Sequence, residues 1–235
     1  MSVEGRVALI TGATGALGSV VSRRFLDAGA RLVLCDLETH KMDEMSREAG
    51  AERCISGRVD VTDAAQVADV ARRGVEAFGR IDILLNIAGG YFGAGPVADL
   101  AEEDFDRALA VNLKSVFLTS RAVVLQMTRQ GWGRIINVGA RAGLAGRGGA
   151  AAHAVSKGGV ILFTEVLAQE VRDQGVTVNV IIPGTLDTPA NRRAQPDADY
   201  SAWVQPDQIA ETILFLCSAG AQSITGARIT VFHRT

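Results

Sequence analysis

The sequence predicts a single-domain α/β fold, in which a doubly wound parallel sheet of about seven strands has helices on both faces. Two observations lead to it: short apolar runs alternate with helical patterns of about ten or more residues, and the runs are continuous rather than alternating. At 48% hydrophobic residues, with no Pro-rich, Gly/Ser-rich or charged linker, residues 1–235 can form one large core.

The expected strands are the apolar runs, several of which end in a polar residue where a ligand crevice would open. The run ending at Asn86 has the profile of a central strand buried on both faces. The runs lie at residues 7–10, 31–36, 53–55, 81–86, 134–138, 176–182 and 227–232.

The expected helices follow from apolar residues recurring every three to four positions. Gly29 ends the first of them, and Thr62 or Asp63 can cap the third. Residues 185–205 lack periodicity, so we expect a loop there that covers the substrate. The helices lie at about 16–28, 38–49, 63–78, 99–109, 112–130, 150–173 and 206–217.

The turn Thr11–Gly18 joins the first strand to the first helix and carries the main chemical signal. Its glycines, Gly12, Gly15 and Gly18, permit a tight turn, close approach of a pyrophosphate and close helix packing. The helix directs its free N–H groups at the phosphates. Asp36 ends the next strand, where a carboxylate can bind ribose hydroxyls and repel a 2′-phosphate, which predicts NAD(H) in preference to NADP(H).

Composition argues against several partner classes. The net charge of −2 with both signs interspersed predicts no nucleic-acid or membrane partner. The N-terminus lacks an apolar signal core and the apolar runs are short, so we expect a cytoplasmic protein. Cys35, Cys54 and Cys217 lack metal-ligand spacing and are expected to be buried thiols, and we expect no metal site.

Across essentially its whole length the chain resembles the short-chain dehydrogenase/reductase family, which implies a Rossmann fold. The glycine turn, Asn86-x-Ala-Gly89, Asn112 and the Pro183-Gly184 break with Thr188 match the family's motifs, although Ile87 replaces a usual Asn. The resemblance implies a set of cofactor-binding residues: Gly12, Thr14, Gly15, Leu17, Gly18, Asp36, Leu37, Asp60, Val61, Asn86, Ala88, Gly89, Lys157, Pro183, Gly184 and Thr188.

The catalytic motif departs from the family pattern. Counting back from Lys157, the family's Tyr-x-x-x-Lys has His153 in place of Tyr, and the family's Ser is Ala140. The resemblance implies that Asn112 positions a water and that Lys157 binds the nicotinamide ribose. The expected catalytic residues are therefore Asn112, His153 and Lys157, with Lys157 disfavouring the charged form of His153.

Residues 88–93, 139–144, 185–193 and 196–201 are similar to the dihydropteridine reductase branch of that family, which also has Ala at the Ser position but keeps the Tyr. Reducing a ketone builds alkoxide charge that Ser and Tyr hydroxyls would stabilise. An electron-poor conjugated C=N acceptor takes hydride without a localised oxyanion, so positioning of the cofactor can suffice.

These residues support three hypotheses. The first is an NADH-dependent oxidoreductase that transfers hydride to a conjugated C=N or C=O acceptor, a small molecule of the dihydropteridine-like kind. The second is a catalytically impaired NAD(H)-binding homologue with a regulatory or scaffolding role, and the third an ordinary NAD-dependent ketone or alcohol oxidoreductase with His153 replacing Tyr. Tyr91 and Tyr200 are either substrate-stacking or packing residues.

The family resemblance also implies a homodimer or homotetramer. Its members associate through the helices expected here at 112–130 and 150–173. Val116, Phe117, Leu162 and Phe163 are compatible with that interface and equally with the core.

Overall fold

The computed structural model describes residues 3–234. Seven strands form one sheet whose strands all run parallel, as the apolar runs predicted. The strands are β1 (Val7–Thr11), β2 (Arg31–Asp36), β3 (Cys54–Arg58), β4 (Ile83–Asn86), β5 (Gly133–Val138), β6 (Val176–Pro183) and β7 (Arg228–Val231). Their order across the sheet is β3-β2-β1-β4-β5-β6-β7.

Eight α-helices connect these strands or cover the sheet within the described residues. They are α1 (Ala16–Asp27), α2 (His40–Ala49), α3 (Ala64–Phe78), α4 (Glu102–Ala108), α5 (Ser115–Gln130), α6 (Ala151–Val171), α7 (Pro189–Ala194) and α8 (Pro206–Cys217). Asp63 caps α3 by accepting from the N–H groups of Ala65 and Gln66. The prediction of a cap at Thr62 or Asp63 is therefore resolved in favour of Asp63.

The structure differs from the expected elements in three places. Residues 102–130 form one continuous helical run, because the π-helical segment Leu109–Lys114 joins the two helices expected there. β3 extends to Arg58 because it pairs with β2 as far as Asp36. The expected loop at 185–205 contains α7, which Thr188 caps through the N–H of Asn191 and which has proline in its first turn.

Each face of the sheet has its own apolar layer. Leu9 and Ile10 are neighbours on β1 and point to opposite faces, as strand geometry requires. Ile10 packs in the layer beneath α1 and α8, and Leu9 in the layer beneath α3, α5 and α6. The helices on both faces and the parallel strands confirm the predicted doubly wound α/β fold.

The long apolar helices are explained by their packing in this fold. The helical stretches Glu102–Gln130 and Ala151–Gln174 are long and apolar enough to cross a membrane by length and composition alone. Residues along α5 and α6, such as Val123 and Leu167, pack against the sheet, which accounts for their apolar character. The cysteines are free and buried, as predicted, and burial raises the pKa of Cys35 to about 12.

The strand order creates a crevice. The chain runs outward from β1 to β2 and β3, then returns to place β4 on the other side of β1. At such a switch point the loops leaving neighbouring strands diverge to opposite faces, and an open α/β sheet binds its ligands there. A ligand-binding site is therefore expected at the turns that follow β1 and β4.

Candidate active site

A cleft of about 1130 Å³ runs along the carboxyl ends of the strands, from the turn after β3 to the segment after β6. It brings together most of the site residues expected from the sequence. Those lining it are Gly12, Thr14, Gly15, Leu17, Gly18, Asp36, Leu37, Asp60, Val61, Ala88, Gly89, His153, Lys157, Pro183, Gly184 and Thr188.

The glycine turn is shaped by backbone contacts that exclude side chains. Gly12 has φ of +67°, and a Cβ there would lie 2.7 Å from the backbone nitrogen of Ala88. A Cβ at Gly18 would collide with the carbonyl oxygen of Gly12. Gly15 is the N-cap residue of α1, so no side chain accepts from the first N–H groups of the helix. The first turn of α1 contains no acidic residue. The N–H groups of this helix end therefore remain available to an anion in the cleft.

Asp36 and Asp60 define the end of the cleft beside β2 and β3. Asp36 Oδ2 accepts hydrogen bonds from Thr14 N at 2.9 Å and Thr14 Oγ1 at 2.7 Å, and Oδ1 accepts from Leu37 N at 2.7 Å. A carboxylate has about four acceptor positions, so Asp36 retains capacity for a ligand hydroxyl. Asp60 Oδ1 accepts from Thr62 N and Oγ1, which fixes the turn around Val61.

Asn86 was expected to bind the cofactor, but its side chain does not line the cleft. Its Nδ2 donates to Asn137 Oδ1 at 2.8 Å, and its Oδ1 accepts from Thr119 Oγ1 at 2.7 Å. Asn86 is 3% exposed. The side chain therefore connects β4 to β5 and α5, because the last residue of this strand points into the helix layer.

Asn112 was expected to be catalytic, and its side chain is also directed away from the cleft. Its Oδ1 accepts from Gly90 N at 2.9 Å, while Nδ2 donates to Gly90 O at 3.0 Å and to Ser156 Oγ at 3.1 Å. The side chain is fully buried. Asn112 thus holds the turn after β4 against α6. Within the described residues it is a positioning residue for Gly89 and Gly90.

Lys157 extends from α6 to the edge of the cleft. Its Nζ donates to the Val138 carbonyl at 2.8 Å, and the residue is 6% exposed. Burial lowers the pKa of Lys157 to about 8, so the ammonium is still mostly charged at pH 7. A Cβ at Gly89 would lie 2.8 Å from Asn112 Oδ1 and 3.1 Å from this nitrogen, so a side chain there would have to displace one of the two groups.

His153 stands on α6 one turn before Lys157. Burial lowers the pKa of His153 below 6.5, the charge of Lys157 lowers it further, and the Gly90 backbone partly opposes both. The effect of Lys157 agrees with the sequence prediction, although burial is the larger cause. His153 Nδ1 is buried and has no hydrogen-bond partner among the described residues. The Tyr91 ring lies 5.0 Å from the imidazole, centroid to centroid.

The far wall of the cleft contains Ala140 and, beside it, residues to which the sequence alone assigned no role. Ala140, Arg141 and Arg147 follow β5, and Asn191 and Gln195 belong to the α7 segment. The signal in the sequence is a pair of arginines, Arg141 and Arg147, within the Gly- and Ala-rich stretch 139–150.

The aromatic candidates separate into two roles. Tyr91 lines the cleft. Tyr200 does not; its ring packs 4.8 Å from Trp203, and its hydroxyl donates to the Pro196 carbonyl at 2.8 Å. Tyr200 is therefore a packing residue of the segment over the crevice.

Comparison with known proteins agrees with this arrangement. The family model described as short chain dehydrogenase matches residues 6–199. The chain belongs to this family. It is accordingly an oxidoreductase of the short-chain dehydrogenase type, and the family resemblance inferred from the sequence is confirmed.

Relatives match the chain over nearly its full length. The 3-oxoacyl-[acyl-carrier-protein] reductase FabG of Thermotoga maritima is 34% identical, with 98% of both chains covered. The (2S)-[(R)-hydroxy(phenyl)methyl]succinyl-CoA dehydrogenase subunit BbsD of Thauera aromatica is 36% identical, covering 96% of this chain and 94% of the relative. The crystal structure of NAD+-bound xylitol dehydrogenase superposes with a TM-score of 0.89 at 27% identity, with 98% of both chains covered.

Proposed function

We propose that this chain is an NADH-dependent oxidoreductase that transfers hydride to a conjugated C=N or C=O acceptor of the dihydropteridine-like kind. The observation that carries the proposal is the contrast within one cleft. Its dinucleotide end retains the glycine turn and Asp36, whereas its catalytic end has Ala140 and a His153 whose pKa is lowered.

The cleft fits a dinucleotide on structural grounds. The space beside Gly12 and Gly18 is filled by backbone, and the uncapped N-terminus of α1 offers N–H groups to a pyrophosphate. When bound, NADH supplies the hydride. Asp36 favours NADH over NADPH, because its carboxylate accepts from ribose hydroxyls and repels a 2′-phosphate.

The catalytic end favours acceptors that need little help with negative charge. Ala140 has no hydroxyl, and a missing oxyanion donor costs about 10²–10³ in rate. Because the pKa of His153 is lowered, little imidazolium is present at pH 7 to donate a proton. A conjugated acceptor delocalises the charge that these groups would otherwise stabilise.

Lys157 retains the role that the family resemblance implies. Its ammonium is anchored on the Val138 carbonyl and borders the cleft beside Gly89. An ammonium has three donors, so two remain for hydroxyls of a bound ribose. We therefore assign to Lys157 the orientation of the nicotinamide ribose.

The experiment is oxidation of NADH by the purified protein with a quinonoid dihydropterin and with a panel of unconjugated ketones. We expect turnover with the dihydropterin and rates at least tenfold lower with the ketones. Preference for the ketones would contradict the proposed acceptor. Tight NADH binding without turnover of any acceptor would instead support the hypothesis of an NAD(H)-binding homologue with a regulatory role.

We also propose a homodimer or homotetramer formed through α5 and α6. Val116 is buried in the protomer, whereas Phe117 is 42% and Leu162 is 62% exposed, so the exposed pair is available to a second copy. Sedimentation of the parent protein and of Leu162→Glu tests this assembly. The proposal predicts that Leu162→Glu sediments with a lower mass than the parent oligomer.

A further inference from the structure

The cleft has opposite charges at its two ends. Among the described residues that line it, the carboxylates are Asp36 and Asp60, which follow β2 and β3. Its arginines are Arg141 and Arg147, which follow β5, and Lys157 borders the same end. The catalytic end therefore has three basic side chains and no carboxylate along its lining.

Neither arginine forms an ion pair with another of the residues that the structure describes. Arg147 has no ion pair or side-chain hydrogen bond to any residue in the range 3–234. Arg141 Cζ lies 5.4 Å from the centroid of the Phe232 ring, and an aromatic ring does not neutralise the guanidinium charge. Asp187, in the segment after β6, is bound to Arg192 and Gln205 and does not line the cleft.

The pyrophosphate of a dinucleotide does not account for these arginines. The glycine turn follows β1, and β4 lies between β1 and β5 in the sheet. Neighbouring strands are about 4.8 Å apart, so the arginine segment starts roughly 10 Å from the glycine turn. The helix N-terminus at Gly15 already provides the N–H groups that a pyrophosphate needs.

A second observation places a polar ligand at the same end. His153 Nδ1 is buried without a partner among the described residues, and His153 lines the cleft. Buried polar atoms in proteins are nearly always hydrogen-bonded, so this nitrogen is available to a polar atom of a bound ligand. Asn191 and Gln195 add amide groups from the α7 segment to the same wall.

We propose that the hydride acceptor carries a carboxylate, which Arg141 and Arg147 bind at the end of the cleft remote from Asp36. This inference rests on the proposed function, because it describes the substrate of the same site. Guanidinium groups bind carboxylates through paired, charge-assisted hydrogen bonds. The carboxylate orients the acceptor, while the conjugated C=O or C=N group lies toward His153.

Benzoylformate and its methyl ester test the proposal as matched conjugated acceptors. The ester has the more electrophilic ketone, so a lower KM for the acid would reflect binding of its charge. We expect the acid to have a KM at least tenfold below that of the ester. In Arg141→Gln/Arg147→Gln this ratio should approach one, through a rise in the KM of the acid alone.

Arg193→Gln is the matched control. Arg193 is exposed on α7 and does not line the cleft, so this variant loses the same charge without losing a proposed contact. Arg147→Lys should give an intermediate KM, because lysine keeps the charge but lacks the paired N–H donors of the guanidinium. An unchanged acid-to-ester ratio in the double variant, or an equal effect of Arg193→Gln, would overturn the inference.

Calorimetric titration of benzoylformate into the NAD+-loaded protein separates this inference from the proposed function. Binding that the double variant loses, in a parent protein that reduces no acceptor, supports the carboxylate site and contradicts the reductase proposal. Turnover of acid and ester with equal KM values supports the reductase and contradicts the carboxylate site. Equal affinity of parent and double variant for benzoylformate contradicts the site whatever the turnover.

Discussion

The two ends of the cleft depend on different structural features, backbone geometry at one end and individual side chains at the other. The dinucleotide end depends on backbone geometry, such as the positive φ of Gly12 and the uncapped helix start at Gly15. The catalytic end depends on individual side chains, and two of them, Ala140 and His153, lie where the family resemblance predicts a Ser and a Tyr. In this chain the turn that would hold the dinucleotide is therefore one packed unit, whereas single side chains determine the chemistry at the other end.

The difference has a physical basis in what each change disturbs. A side chain at Gly12 or Gly18 would collide with backbone atoms, so those positions tolerate no replacement without moving the turn. His153, at the position where the resemblance predicts a tyrosine, lines the cleft from α6, and the helix is continuous through it. Chemistry can therefore change there without loss of the fold.

The largest effect is expected from adding one methyl group to the cradle. Gly12→Ala should lower NADH affinity by about 10³, about 4 kcal/mol, because Gly12 has φ of +67° and its Cβ would lie 2.7 Å from Ala88 N. Fluorescence titration measures the affinity, and thermal unfolding monitors the fold. Gly146→Ala is the control, since a Cβ there meets nothing within 4 Å. Equal affinities of both variants would contradict the backbone account.

A smaller effect should follow from the buried charge of Lys157. Its pKa is about 8 when folded against 10.5 as the ordinary value, so between these pH values the unfolded chain binds more protons. The stability that Lys157 contributes therefore rises with pH across that window, and below pH 8 the buried charge costs about 3 kcal/mol.

Lys157→Met removes this dependence. The free energy of unfolding of the variant minus that of the parent should be most positive at pH 7 and fall as pH rises from 8 to 10. Urea unfolding at each pH measures it. The lost hydrogen bond to Val138 shifts the difference by a constant, so a difference independent of pH would contradict the buried charge.

Asp36 should give NADH an affinity about tenfold above that of NADPH, a difference of about 1.4 kcal/mol. We expect NADH to bind at least that much tighter than NADPH, and Asp36→Asn to bring the two affinities close together, because the amide no longer repels a 2′-phosphate. Asp63→Asn is the matched control, since Asp63 caps α3 and Asn can cap it as well. Equal affinities in the parent would show that Asp36 does not contact the ribose.

The smallest effect is expected at Tyr91. Its ring packs against His153, and its hydroxyl donates to the Gly149 carbonyl at 3.3 Å on an exposed surface. Tyr91→Phe should therefore change kcat by less than about twofold, because phenylalanine keeps the ring that packs against His153. Steady-state kinetics with the preferred acceptor measure it. A large loss of kcat would identify the Tyr91 phenol as the acid that compensates for the missing tyrosine.

Much of the fold was predictable from the sequence because buried parallel strands leave continuous apolar runs, as in residues 81–86. The dinucleotide residues were equally accessible, since glycine requirements are local. The side chains of Asn86 and Asn112 were not, because their partners, among them Asn137 and Ser156, are distant in sequence and close only in the folded chain.

The charge separation along the cleft also required the structure. Asp36 and Arg147 are far apart in the sequence and face one cavity only because β2 and β5 end at the same edge of the sheet. In the sequence the charges of both signs are interspersed, so no basic cluster is visible there. A balanced net charge of −2 conceals the local accumulation of basic groups.

The most direct test of the account is NADH oxidation by the parent, His153→Tyr and His153→Tyr/Ala140→Ser with a quinonoid dihydropterin and with an unconjugated ketone. We predict that His153→Tyr raises the rate with the dihydropterin, whereas the ketone is reduced well only after Ala140→Ser restores a second oxyanion donor. The contrary result is a parent protein that is the fastest catalyst, with a rate that falls as pH rises through the His153 titration. That outcome would show that His153 donates the proton, as the tyrosine does in the family pattern.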